Sequence, residues 1–304
     1  MSESRKGVRA GSRGGGVVSP YVLVLGAAIL WSTGGLFIKW NDLSPLELSC
    51  GRALFACATV ALLTRREGFG LNPVTCVASV LYAALLLLFV FATKMTTAAN
   101  AIFLQYTAPV YILLFEPALF KEKYRAQDFV VVACCLAGMS LFFVGDLRPQ
   151  DVRGNAAALG SGVCFAAFFL LLRSARAREV NRASSVIYGN LLLFALTLPA
   201  FVAGAHKLGA RNLAAVAYLG VVQIGVAYTM LTLGIARGVR GLDAGVIGYV
   251  EPLLNPVWVF LVLGERPSRW ALLGGAIIIA AVLAHTLWKA RRGARRPPGL
   301  EPSN

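Results

Sequence analysis

Residues 101–122 and 244–265 of this chain are one pattern written twice. Adding 143 to a position carries Ala101 to Ala244, Tyr106 to Tyr249, Pro109 to Pro252, Glu122 to Glu265 and Lys123 to Arg266. Each copy is an apolar segment interrupted by proline and closed by an acidic–basic pair. The starts of two blocks correspond as well. Leu25-Gly26 matches Leu159-Gly160 and Lys39 matches Arg173 at a separation of 134, and Gly51 matches Gly189 at 138. Order is preserved and the drift in separation needs only small loop insertions, so the chain reads as a duplicated block.

The block is built for lipid. Only 14% of residues are charged and 58% are hydrophobic, against about 25% charged in soluble domains. Apolar stretches lie at about 20–40, 45–64, 73–93, 97–118, 127–145, 154–172, 184–204, 213–235, 242–263 and 270–288. Each approaches the roughly 20 residues a helix needs to cross the hydrocarbon core. Lipid offers backbone N–H and C=O groups no partners, so each span must be helical. The expected fold is an all-α integral membrane protein of ten transmembrane helices. Residues 20–146 and 154–288 form its two five-helix repeats, between a disordered basic leader (1–19) and a basic tail (289–304). Five spans per repeat is odd, so the second copy enters the membrane from the opposite side and the repeats are inverted.

A net charge of +15 raises nucleic acid as a partner, but its placement favours a bilayer. With ten spans, most of the basic residues gather on one side, among them Arg65, Arg66, Lys121, Lys123 and Arg125. Lys39, Lys94, Lys207, Arg211, Arg266 and Arg269 fall on the other. The positive-inside rule then puts both termini in the cytoplasm of a multi-pass protein of the plasma (bacterial inner) membrane. Lipid, not nucleic acid, is the expected surface partner. The six cysteines lie in or at the edges of spans without metal-ligand spacing, and His206 and His285 are far apart. They read as packing residues, with no metal site and no cofactor.

The residues LWSTGGLFIK (30–39), the entry from Pro45 to Arg52, ANAIFLQYTAPVY (99–111), GLDAGVIGYVEPLLNPVW (241–258) and LGERPSRW (263–270) resemble the drug/metabolite transporter (DMT) superfamily, specifically its EamA-type ten-helix exporters. The pattern runs from about 20 to 288. The resemblance implies two EamA repeats around a central cavity and movement of small metabolites, often outward. It leaves the substrate open among amino acids, amines, drugs and other metabolites.

Candidate site residues follow from polar groups at membrane depth. Glu251 lies mid-span, where a carboxylate costs about 2.5–3.5 kcal/mol and should face a cavity or a partner. Gly248, Glu251 and Asn255 share one helical face, and Pro252 and Pro256 each remove a backbone donor. Glu251 is the candidate coupling group, holding a proton or a substrate ammonium; a carboxylate merely bonded to the next helix is the alternative. In span 4, Asn100, Gln105, Tyr106 and the helix-breaking Pro109 face the corresponding place, with Ala108 where the other copy has Glu251. Trp31, Ser32 and Thr33 precede Gly34-Gly35 in span 1. Phe165 and Phe169 in span 6, Gln223 and Tyr228 in span 8, and Tyr249 complete an aromatic–polar wall. Lys39 and Arg173 are expected to snorkel to headgroups, Arg52 to pair with Asp42 or Glu47 or to attract an anion, and Glu122 and Glu265 to cap the helices that follow them or pair with nearby basic residues.

The expected function is a secondary transporter exporting a small amino-acid-like or amine-bearing metabolite through a central cavity by alternating access, with a proton as candidate coupling ion. Interrupted spans at matching places of two halves are the pattern that marks a transporter's binding site. A passive pore needs rings of polar groups, and an intramembrane enzyme needs a nucleophile–base or metal constellation. Neither is legible, so no catalytic residue is assigned.

Overall fold

The computed structural model describes residues 19–120, 126–141, 144, 149–173, 180–181, 183–239, 244 and 247–294. Residues 1–18 of the leader, residues 295–304 of the tail, Lys121, Glu122, Lys123 and Arg125 lie outside the described residues. Among the described residues the protein is all-helical, without a strand. In order these are α1 (Pro20–Ser32), α2 (Gly34–Trp40), α3 (Pro45–Thr64), α4 (Pro73–Met95), α5 (Ala98–Gln105), α6 (Ala108–Phe120), α7 (Ala126–Ser140), α8 (Pro149–Arg173) and α9 (Ala183–Ala203). Then come α10 (Ala210–Ala217), a π-helical segment (Tyr218–Val226), α11 (Ala227–Ala236), α12 (Val250–Leu263) and α13 (Arg269–Ala294). The last helix therefore runs past Lys289, where the sequence suggests a tail begins.

Helix starts are written locally. Pro20, Pro45 and Pro73 occupy first-turn positions where the missing N–H is no loss. Ser44 and Glu47 form a reciprocal capping box, while Asn72 and Thr97 accept from the N–H groups of Thr75 and Asn100. Large apolar side chains such as Leu62, Leu196 and Leu261 point outward, as on a surface solvated by lipid.

Six helical runs among the described residues are long and apolar enough to cross a membrane: Pro20–Trp40, Pro45–Thr64, Pro73–Met95, Pro149–Leu172, Ala183–Ala203 and Ala210–Ile235. Phe129–Ser140, Val250–Leu263 and Arg269–His285 are shorter apolar helices. The sequence predicts ten spans of membrane length; its fourth is instead two helices, parted at Tyr106-Thr107 just before Pro109. A proline cannot supply the N–H that would bridge such a turn.

The packing has the internal symmetry that duplication requires. Helix α4 packs on α8 as α11 packs on α1, α4 on α9 as the π-helical segment on α3, and α5 and α6 on α8 as α12 on α1. Helices α3 and α9, α5 and α12, and α7 and α13 each meet their own counterpart. Matched glycines make the close approaches: Gly26 lies against Met230 and Gly160 against Leu88, Gly51 against Val216 and Gly189 against Ser79 and Tyr82. A Cβ at Gly189 would sit 2.8 Å from the Ser79 carbonyl oxygen, which cannot yield without moving α4. Gly189→Ala should therefore cost about 1–3 kcal/mol and lower the melting temperature in detergent, whereas Gly209→Ala, in open space, should not. Equal melting of the two variants would refute the close crossing of α4 and α9.

Candidate functional site

The interrupted helices converge. Span 1 breaks at Thr33 between α1 and α2, span 4 at Tyr106-Thr107, and a turn at Tyr249 precedes α12; the π-helical segment supplies the facing wall. The Tyr106 hydroxyl lies 2.8 Å from a Glu251 carboxylate oxygen and 3.0 Å from the Gly248 carbonyl oxygen. Tyr249, the repeat counterpart of Tyr106, has its ring centroid 6.0 Å away. The two copies thus meet tyrosine to tyrosine, and only one side carries the acid. Glu251 is half-buried, and a side chain added at Gly248 would meet nothing within 4 Å. Among the described residues, the position beside Gly248, one turn before Glu251, is therefore unfilled.

One turn along α12, Asn255 is fully buried against Gly35, and neither end of its amide is hydrogen-bonded among the described residues. Gln223 rests on Gly34; its Nε2 reaches the Trp31 carbonyl at 3.5 Å and its Oε1 has no partner. Ser32 and Thr33 are already engaged. Ser32 Oγ donates to the Ile29 carbonyl (2.6 Å) and accepts from Trp258 Nε1 (2.9 Å). Thr33 Oγ1 donates to the Leu30 carbonyl and lies 3.0 Å from the Tyr218 hydroxyl.

Asn100 and Gln105 join α5 to α8: Asn100 Nδ2 donates to Asn155 Oδ1 (3.1 Å) and Gln105 Nε2 to Ser161 Oγ (2.8 Å). Phe165 and Phe169 stack edge to face, with Phe169 46% exposed at the periphery. Tyr228 packs into a separate apolar cluster with Phe165 and Phe168. Pro252 and Pro256 are buried in α12, and Pro109 lies in the first turn of α6. Sequence reasoning missed Tyr218, Asn155, Ser161 and Trp258 as polar partners. Trp258 had a legible signal, since it follows Asn255 by three residues and so shares its helical face.

One end of the bundle is tied across the repeats. Lys39 pairs with Glu265 and donates to the Thr96 carbonyl (2.8 Å), while Glu265 accepts the Ala98 N–H (2.8 Å). Gly264, with φ +67°, ends α12 and turns the chain so that this carboxylate points back. The same end holds Lys207 on Glu47 (2.8 Å), Arg211 on Asp42 (3.5 Å) and Lys94 on the Asn41 carbonyl (2.7 Å). Two expectations are corrected here and a third is narrowed. Lys39 does not snorkel, because a carboxylate meets its charge inside the protein. Glu265 takes the pairing alternative, with the basic Lys39 of span 1, and caps the first turn of α5 in place of the helix that follows it. Arg52, 2% exposed, bonds the Leu86 carbonyl at 3.0 Å, because Asp42 and Glu47 are held by Arg211 and Lys207.

Comparison with known proteins agrees with the fold. The profile of the EamA-like transporter family matches residues 18–144 and 152–287. The chain is 27% identical over 281 residues to YwfM, an uncharacterised transporter of Bacillus subtilis, covering 88% of this chain and 93% of YwfM. It is 28% identical to the threonine/homoserine exporter RhtA of Escherichia coli K12 over 199 residues, 62% of each chain. A solved crystal structure shares the fold at a TM-score of 0.64 and 22% identity, over 90% of this chain and 98% of its own.

Proposed function

The chain belongs to the EamA-like transporter family, and on that premise we propose that this multi-pass membrane transporter exports a small amino-acid-like or amine-bearing metabolite by alternating access. The observation that carries the reading is the Glu251–Tyr106 contact across the two repeats, beside the open space at Gly248. A half-buried carboxylate in lipid surroundings is costly unless it serves a partner, and an ammonium or a proton is the partner it accepts. RhtA, whose name records threonine and homoserine export, makes amino acids the first substrates to try. The repeats are inverted five-helix units crossing the membrane ten times, with both termini cytoplasmic, as the charge bias and the symmetric helix pairing support. On that orientation the Lys39–Glu265 network lies at the outer end, and the protein stands closed to the outside.

Alternating access predicts saturable exchange. Reconstituted in liposomes loaded with unlabelled amino acids and polyamines, the protein should drive counterflow of a labelled member of the set. Flux that rises linearly with concentration, with unitary currents in planar bilayers, would instead mark a passive pore.

A further inference from the structure

The two amides at the span-1 break take no part in the ion-pair network, and among the described residues their hydrogen bonding is incomplete. Asn255 is 0% exposed and Gln223 9% exposed. They come from different helices onto consecutive glycines, occupying space that a Cβ at Gly34 or Gly35 would need. Among the described residues Asn255 Oδ1 and Nδ2 and Gln223 Oε1 have no partner, although Ser32, Thr33, Tyr218 and Trp258 beside them are bonded to one another or to backbone. Buried polar atoms are almost always paired, and a cluster of exceptions at a helix break marks a place where something else completes the bonding.

From this we infer that Asn255 and Gln223 are the specificity-determining pair of the transport site, seating a neutral group that both donates and accepts: a hydroxyl or a carboxamide on the transported amine. The inference rests on the transporter reading above. The orphan atoms are two acceptors and one donor: a primary amide can complement all three, a hydroxyl Asn255 Nδ2 and one of the two oxygens, and a bare alkyl chain none of them. Asn255 follows Glu251 by four residues, about 6 Å along the same face of α12, so an ammonium at Glu251 leaves the polar group of a small substrate within reach of Asn255. Gly34 and Gly35, having no side chains, leave the two amides the room they occupy at the break in span 1. A site built to bond a hydroxyl rejects the analogue that lacks it, since its own buried groups are then left unpaired.

Homoserine and 2-aminobutyrate differ in the terminal hydroxymethyl group of homoserine and test the pair directly in liposome counterflow. The wild type should prefer homoserine by at least about 100-fold. Asn255→Leu, close to isosteric, should bring the two probes within about threefold by weakening homoserine and admitting 2-aminobutyrate. Gln223→Met should act in the same direction, and it carries the test should Asn255→Leu fail to fold. Equal exchange of both probes by the wild type, or an unchanged preference in the folded variants, overturns the inference and leaves the transporter reading standing. Exchange of neither probe, with counterflow only of amines that carry neither hydroxyl nor carboxamide, overturns it as well and preserves the broader reading. No counterflow of any solute removes both.

Discussion

Glu251→Gln should leave counterflow running but abolish accumulation driven by a proton gradient. Glutamine keeps the size of the side chain and can still accept from the Tyr106 hydroxyl, 2.8 Å from the carboxylate in the wild type, so the contact between α12 and the end of α5 survives. What disappears is a group that can be charged in one step and neutral in another. With one proton moved per substrate, a gradient of one pH unit supplies about 1.4 kcal/mol and sustains roughly a tenfold substrate ratio. The variant should settle at a ratio of about one, while exchange of labelled for unlabelled substrate continues. Tyr106→Phe is the companion: it removes the donor and leaves the acid, so coupling should persist with altered affinity. Accumulation by Glu251→Gln equal to wild type would remove Glu251 from the coupling step.

The second large effect belongs to the Lys39–Glu265 end of the bundle, the outer end on the proposed orientation. Lys39 and Glu265 are only 18% and 23% exposed, and they tie span 1 to the end of α12 while Glu265 also holds the Ala98 N–H. Breaking a fully buried pair costs about 3–5 kcal/mol and an exposed one next to nothing. For a pair between these limits about 2 kcal/mol is appropriate, roughly 30-fold in the ratio of closed to open states. Lys39→Glu, which sets two carboxylates together, should raise by about that factor the rate at which an impermeant thiol reagent added outside reaches a cysteine at position 248. The six native cysteines are replaced first. Adding Glu265→Lys restores opposite charges but not the bond to Ala98, so recovery should be partial. An unchanged labelling rate in Lys39→Glu would show that the pair does not close the outer end.

Much of the site was legible before any coordinates. Glu251 was singled out by depth alone, because a carboxylate eight or more residues from either end of an apolar run needs a reason to be there. The interruption of span 4 followed from Pro109, and the asymmetry between the copies from Ala108 standing where the other has Glu251. The partners were not legible. Lys39 and Glu265 are 226 positions apart, and nothing local distinguishes a lysine that reaches a headgroup from one that meets a carboxylate. Arg52 had two plausible acids close in sequence, yet both are held by basic residues of the other repeat, and its bond goes to a carbonyl of α4. Ser32 and Asn255 looked equivalent as polar residues in apolar spans. Trp258 satisfies one of them, and none of the described residues satisfies the other.

Periodicity, hydropathy and proline placement act within a few turns of one helix, so residue order alone determined where helices run, that the block is duplicated, and at what depth each polar group sits. Which polar groups meet depends on how helices far apart in the chain cross, and the crossings are set by side-chain packing at glycines such as Gly35 and Gly189. Only tertiary structure therefore decided that Lys39 holds Glu265, that Tyr106 reaches Glu251, and that the amides of Asn255 and Gln223 are left waiting at the break in span 1.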